Sequence, residues 1–181
     1  LILILISMFI SSTIMISTII IISFITFSEF NRFISKILTC WVIKFLVSSS
    51  ILLYLFIFVF IIFFVESTQN TIPKYKLYIF YSIIVWVNSD IGVYIIGKIF
   101  KGKKLTKISP NKTISGSIGS FACSLLTIPI FFYDLSFINI NLLILTTLII
   151  SFASQLGDLI ISYLKRLAKI KDTGNILPGH G

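Results

Sequence analysis

The chain has 181 residues, 57% of them hydrophobic and only 12% charged, with a mean hydropathy of +1.08. Soluble domains carry about 25% charged residues, so a water-soluble globular fold is excluded and an all-α integral membrane protein is indicated. Fifteen Lys and Arg against six Asp and Glu give a formal charge of +9, and two isolated cysteines exclude both a disulfide framework and a cysteine metal cluster.

Five hydrophobic runs are long enough to cross about 30 Å of hydrocarbon. They occupy Leu1–Phe27, Trp41–Val65, Leu77–Phe100, Ile114–Tyr133 and Phe137–Ile161. Backbone exposed to lipid must satisfy its own hydrogen bonds, so about five transmembrane helices are predicted. The first run lacks the basic start and small-residue cleavage site of a signal peptide and reads as a span. Ser11-Ser12-Thr13 interrupts it and allows either one tilted helix or a break. Leu1 is not a start methionine, so residues upstream are expected.

Under simple alternation, thirteen of the fifteen cations fall on one side of the membrane. They are Arg32, Lys36 and Lys44, the six lysines from Lys98 to Lys112, and Lys165, Arg166, Lys169 and Lys171. Only Lys74 and Lys76 fall on the other. The cation-rich side is the cytoplasmic one. The expectation is therefore a multi-pass protein of the cell inner (plasma) membrane.

The carboxylates sort by depth. Glu29, Glu66 and Asp134 lie at loop edges and are expected to be solvated. Asp90 precedes Lys98 by eight residues and Asp158 precedes Lys165 by seven, which on helices places them about 12 and about 10 Å in from the cytoplasmic face. A carboxylate inside a span is costly and faces a polar cavity or a partner. Two at matched depth, on the side that carries the cations, predict a shared, cytoplasm-facing polar pocket, with neutralisation by a lysine as the plainer alternative. Asn88-Ser89-Asp90-Ile-Gly92 and Gln155-Leu-Gly157-Asp158 are polar interruptions that favour the pocket. The small residues Ser115-Gly116-Ser-Ile-Gly119-Ser120 suit close helix packing.

The longest basic loop ends Ile108-Ser109-Pro110-Asn111-Lys112-Thr113. A Ser-Pro turn followed by Lys-Thr at a helix start offers N–H groups, a hydroxyl and an ammonium to a phosphate. The tail then concentrates Ser162, Lys165, Arg166, Lys171, Asp172, Gly174, Pro178, Gly179 and His180 after a mostly apolar chain. Charge alone would make this tail a site for acidic lipid.

The arrangement is more specific than its charge. Ser162-x-x-Lys165-Arg166, four residues, Lys171-Asp172-x-Gly174, then Pro178-Gly179-His180-Gly181 resembles the signature of the phosphatidate cytidylyltransferases (CDP-diacylglycerol synthases). Asn88-Ser-Asp90-Ile-Gly92-Val-Tyr94-x-x-Gly97-Lys98, the basic loop with Ser109-Pro110-Asn111-Lys112-Thr113, and Gly157-Asp158-Leu159 resemble that family's other blocks, in the same order. The resemblance divides the chain into N-terminal transmembrane helices, 1–87, and a catalytic transmembrane region, 88–181, with a cytoplasmic loop at 100–113 and a signature tail at 162–181.

It implies transfer of the cytidylyl group of CTP to phosphatidic acid, with release of pyrophosphate. Asp90, Asp158 and Asp172 are then the metal candidates, for Mg²⁺. These three, with Lys165, Arg166, Lys171 and His180, are the catalytic set, and Ser109, Pro110, Lys112, Thr113 and Ser162 bind substrate. CTP, phosphatidic acid and membrane lipid are the implied partners, with no nucleic acid, and a homodimer is the implied assembly. Two departures are visible: Ile161 stands where the family has Glu, and the family's second Gly and Asp-Arg pair would come after Gly181. The segment alone is therefore expected to be weakly active or inactive. A CTP-dependent lipid kinase, and a non-catalytic or decayed membrane fragment, are the alternatives.

Overall fold

In a computed structural model, the described residues are 2–67, 75–106, 109, 112–135 and 138–170. They form seven helices: α1 (Ile2–Ile10), α2 (Ser12–Ile37), α3 (Trp41–Ser67), α4 (Tyr75–Phe100), α5 (Ile114–Leu125), α6 (Thr127–Phe131) and α7 (Ile140–Leu167). Among the described residues five helical segments are long and apolar enough to cross a membrane: Ser12–Ile37, Trp41–Ser67, Lys76–Phe100, Ile114–Phe131 and Ile140–Leu167. This is a multi-pass membrane protein. The helices belong to two compact units, one running to Tyr75 and resuming at Lys165, the other Lys76–Leu164.

In the first unit the opening run breaks. Ser11 is extended and its Oγ accepts from the Ile14 N–H at 3.2 Å, so it caps α2 and ends α1. A nine-residue helix rises only about 14 Å, too little to span. α1 instead packs on α2, where the Thr18 hydroxyl donates to Ser7 Oγ at 3.1 Å. The span thus begins later and ends later than its hydropathy suggests, and Arg32 and Lys36 stand on α2 rather than in a loop. Ser48 of α3 donates to Asn31 of α2.

Along α3 nearly every Phe, Leu, Ile and Trp is exposed, which suits lipid and not water. One expectation fails here: Glu66 in the last turn of α3 is buried, 5% exposed, and it engages a partner rather than solvent. Burial of a carboxylate is tolerable only with such compensation. Glu29 likewise lies within α2 and is half-buried, whereas Asp134 is exposed as anticipated.

The second unit has its own core of Tyr81, Val85, Ile128, Phe131, Leu135 and Leu143. The Tyr81 ring meets Phe131 edge-on at 5.4 Å, and its hydroxyl bonds Thr147 of α7. Pro129 cannot donate to the carbonyl four residues back and its ring crowds that turn. The fourth span accordingly breaks at Leu126 into α5 and α6.

Small residues let α4 and α5 touch backbone to backbone. A Cβ on Gly119 would sit 2.5 Å from Ile96 Cβ, and one on Gly116 would sit 2.8 Å from the Val93 carbonyl oxygen. Gly157 on α7, by contrast, has nothing within 4 Å of its Cβ position. Gly119→Ala should therefore destabilise by about 1–3 kcal/mol, through overpacking against a β-branched neighbour. Gly157→Ala should be neutral or stabilise, by up to about 1 kcal/mol, because glycine weakens a helix interior. Thermal inactivation in detergent separates the two, and equal behaviour would contradict the close crossing.

Candidate active site

The second unit brings three spans together through hydroxyls. Ser89 of α4, Ser120 of α5 and Ser151 of α7 are fully buried and hydrogen-bonded to one another. The triangle gives each of the three hydroxyls a partner, and among the described residues no buried side-chain polar atom lacks one, so the helices are tied without an orphaned polar group.

From this junction a polar stripe runs along α7. Thr147, Ser151, Ser154, Gln155 and Asp158 recur at helical spacing and so share one face. Each has a partner in the same unit. Thr147 bonds Tyr81, Ser151 closes the hydroxyl triangle, Ser154 donates to Asp90 Oδ1 at 3.0 Å, and Gln155 accepts from Ser117. Asp158 Oδ2 takes the Lys112 ammonium at 2.9 Å.

Asp90 and Asp158, 68 residues apart in sequence, thus line one cleft of about 630 Å³ with Val93, Tyr94, Gly97 and Lys98. The described hydrogen bonds engage Asp90 Oδ1 and Asp158 Oδ2 and leave the other oxygen of each carboxylate outside them. Among the described residues no three His, Cys, Asp or Glu side chains come together. The donors at hand are two hard oxygens, which suit Mg²⁺. That ion is ordinarily held by one or two carboxylates, with water and substrate phosphates completing the shell. They do not suit a closed structural zinc site.

Lys112 reaches Asp158 because its loop is pinned. The Leu105 N–H donates to the Lys112 carbonyl at 2.8 Å, and the Ile114 N–H to the Lys103 carbonyl at 2.9 Å. Thr113 caps α5, its Oγ1 accepting from the Gly116 N–H at 3.1 Å. The absence of a side chain on Gly97 admits this cap, since a Cβ there would lie 3.0 Å from Thr113 Oγ1. Ser109 closes the turn, its carbonyl accepting from the Lys112 N–H at 3.1 Å.

Of the residues singled out from sequence, Asp90, Asp158 and Lys112 are brought together and Thr113 stands at the same helix start. Ser162 lies one turn beyond Asp158 on α7, and Lys165 and Arg166 occupy the last turn of that helix. Pro110, Lys171, Asp172 and His180 lie outside the described residues. Sequence reasoning did not single out Ser151, Ser154, Tyr94 or Lys98 as parts of the site. The period of polar residues along α7 was a usable signal for the first two, and the i, i+4 repeat from Asp90 for the others.

The model of the cytidylyltransferase family matches residues 1–181. The phosphatidate cytidylyltransferase of Staphylococcus haemolyticus (strain JCSC1435) is 47% identical over 118 residues, covering 64% of this chain and 44% of the relative. Those of Staphylococcus aureus (strain COL) and Staphylococcus epidermidis (strain ATCC 35984) are each 45% identical, over 120 and 119 residues, covering 65% and 64% of this chain and 45% and 44% of the relatives. The chain therefore spans less than half the length of these curated relatives. No solved structure matches. With a match along its whole length, the chain belongs to the cytidylyltransferase family.

Proposed function

We propose that this protein transfers the cytidylyl group of CTP to phosphatidic acid, giving CDP-diacylglycerol and pyrophosphate in phospholipid synthesis. The observation that carries this reading is the meeting of Asp90 and Asp158, from two spans, in one cleft with Lys112 on the second of them. The same chemistry is named for the staphylococcal relatives.

In this reaction an oxygen of the lipid phosphate attacks the α-phosphorus of CTP. A new P–O–P bond joins the lipid phosphate to CMP, the bond between the α- and β-phosphates breaks, and pyrophosphate leaves with the electron pair. Catalysis of such a step is mainly positioning and charge stabilisation. Asp90 and Asp158 are the residues to hold Mg²⁺, with Asp172 as a third ligand by resemblance. When bound there, the ion supplies positive charge for the attacking and leaving oxygens.

Lys112 is suited to neutralise nucleotide phosphate. Its ammonium is held within 2.9 Å of a cleft carboxylate by a pinned loop, so little further ordering is needed. Ser109, Pro110, Thr113 and Ser162 are assigned to substrate binding, and Lys165, Arg166, Lys171 and His180 to phosphate charge, by the same resemblance. The cation asymmetry supports an inner-membrane protein whose cleft opens on the cytoplasm, where CTP is available. A homodimer is the proposed assembly.

The protein, expressed with whatever its gene encodes on either side, should release one pyrophosphate per phosphatidic acid consumed when given CTP and Mg²⁺. Omitting either substrate, or chelating the metal, should abolish release. CDP in place of pyrophosphate would favour the lipid kinase. Neither product, from folded protein, would favour a non-catalytic role.

A further inference from the structure

Asp90, Tyr94 and Lys98 follow one another at intervals of four residues along α4 and all line the cleft. Such a spacing makes one lengthwise stripe. Asp90 belongs to the proposed chemistry, whereas Tyr94 and Lys98 have had no part in it. The Lys98 ammonium lies over the Tyr94 ring, 5.6 Å from its centroid. That contact lays the lysine against a ring one helical turn nearer the N-terminus of α4 and limits its wandering. Lys98 forms no ion pair among the described residues, so its charge is available to an anion.

The surroundings say which anion. Lys98 stands in the last turn of a span, with an exposed Tyr94 one turn inside it. Tyrosine and lysine at the end of a span mark the boundary between hydrocarbon and water, the level of lipid phosphates. Directly beside the polar stripe, Ile91, Ile95 and Ile99 make a second, apolar one, and all three are exposed. A polar strip flanked by an apolar strip on one helix matches an amphiphile, with its phosphate in the cleft and its chains against the isoleucines. A nucleotide has nothing to place on the second strip.

We propose that Lys98, set in place by Tyr94, binds the phosphate monoester of the acidic glycerolipid acceptor and holds it toward the cleft carboxylates. This rests on the reading that the protein acts on phosphatidic acid. Removing a charge-assisted contact to phosphate should cost about tenfold or more in apparent affinity.

In mixed micelles, Lys98→Met should raise KM for phosphatidic acid at least about tenfold while KM for CTP stays within about twofold. Tyr94→Leu should move the same constant in the same direction by less, and Lys98→Arg should restore it. A raised KM for CTP alone would overturn the lipid assignment, and unchanged KM values would overturn the subsite altogether. Binding of a fluorescent phosphatidic acid without CTP reads the subsite apart from turnover. Equal binding by the unaltered protein and Lys98→Met would sink the proposal. Absent turnover with Lys98-dependent binding would instead sink the reaction. If Lys98→Met fails to match the thermal inactivation of the parent, Lys98→Gln is read in its place.

Discussion

Asp158→Asn and Asp90→Asn should each lower turnover by about two to three orders of magnitude at saturating Mg²⁺, with insertion and thermal inactivation little changed. Asn keeps the volume and one oxygen of Asp, and replaces the charge and the second oxygen with a neutral NH2 donor. At position 90 the hydroxyl of Ser154 donates to Oδ1, an atom whose role an amide oxygen can fill, so the helix contact survives. At position 158 the carboxylate is exposed enough, 58% for its side chain, that its pairing with Lys112 contributes at most about 1 kcal/mol to folding. The loss is therefore predicted in the transition state, where two oxygens that hold a cation against developing phosphate charge become one. Steady-state rates across a magnesium titration provide the measurement. Recovery to within threefold of the parent at high Mg²⁺ in either variant would reject shared coordination.

Lys112→Met should lower kcat/KM by about two orders of magnitude, most of it in the response to CTP. The side chain of Lys112 is only 17% exposed, and its backbone carbonyl and N–H are held by Leu105 and Ser109. A methionine fills the same space without the ammonium. If Lys112 serves only to neutralise Asp158, the double variant Lys112→Met/Asp158→Asn should be no worse than Asp158→Asn alone. If it meets phosphate as well, the double variant should lose further activity, and the cycle of four proteins gives the coupling directly. Full activity in Lys112→Met would remove the loop from the site.

The spans were legible because a stretch of about 20 apolar residues has few other uses, and all five were placed. Their interruptions were legible in principle. Ser11 is an ordinary N-cap and Pro129 an ordinary helix breaker, yet hydropathy averages over both. Glu66 was misread because position near a loop says nothing of what packs over it. That Asp90 and Asp158 share a cleft was legible from their depth, a quantity that rise per residue supplies without any tertiary information. The hydroxyl triangle of Ser89, Ser120 and Ser151 was not, since serine is common in spans and its partners lie on other helices. Lys98 was counted as a topology signal, because a charge at the end of a span usually is one. The resemblance also sets Tyr94 and Lys98 in one block without a role for either, and the place of Lys98 over Tyr94 on the cleft wall supplies the proposed one.

The most direct test follows the α-phosphorus. With CTP labelled at that atom, phosphatidic acid and Mg²⁺, the label should pass into the chloroform-soluble lipid, leaving the pyrophosphate unlabelled. Label that stays in water as free CDP, while the γ-phosphate enters the lipid, would contradict attack on the α-phosphorus and with it the account given for Asp90, Asp158 and Lys112.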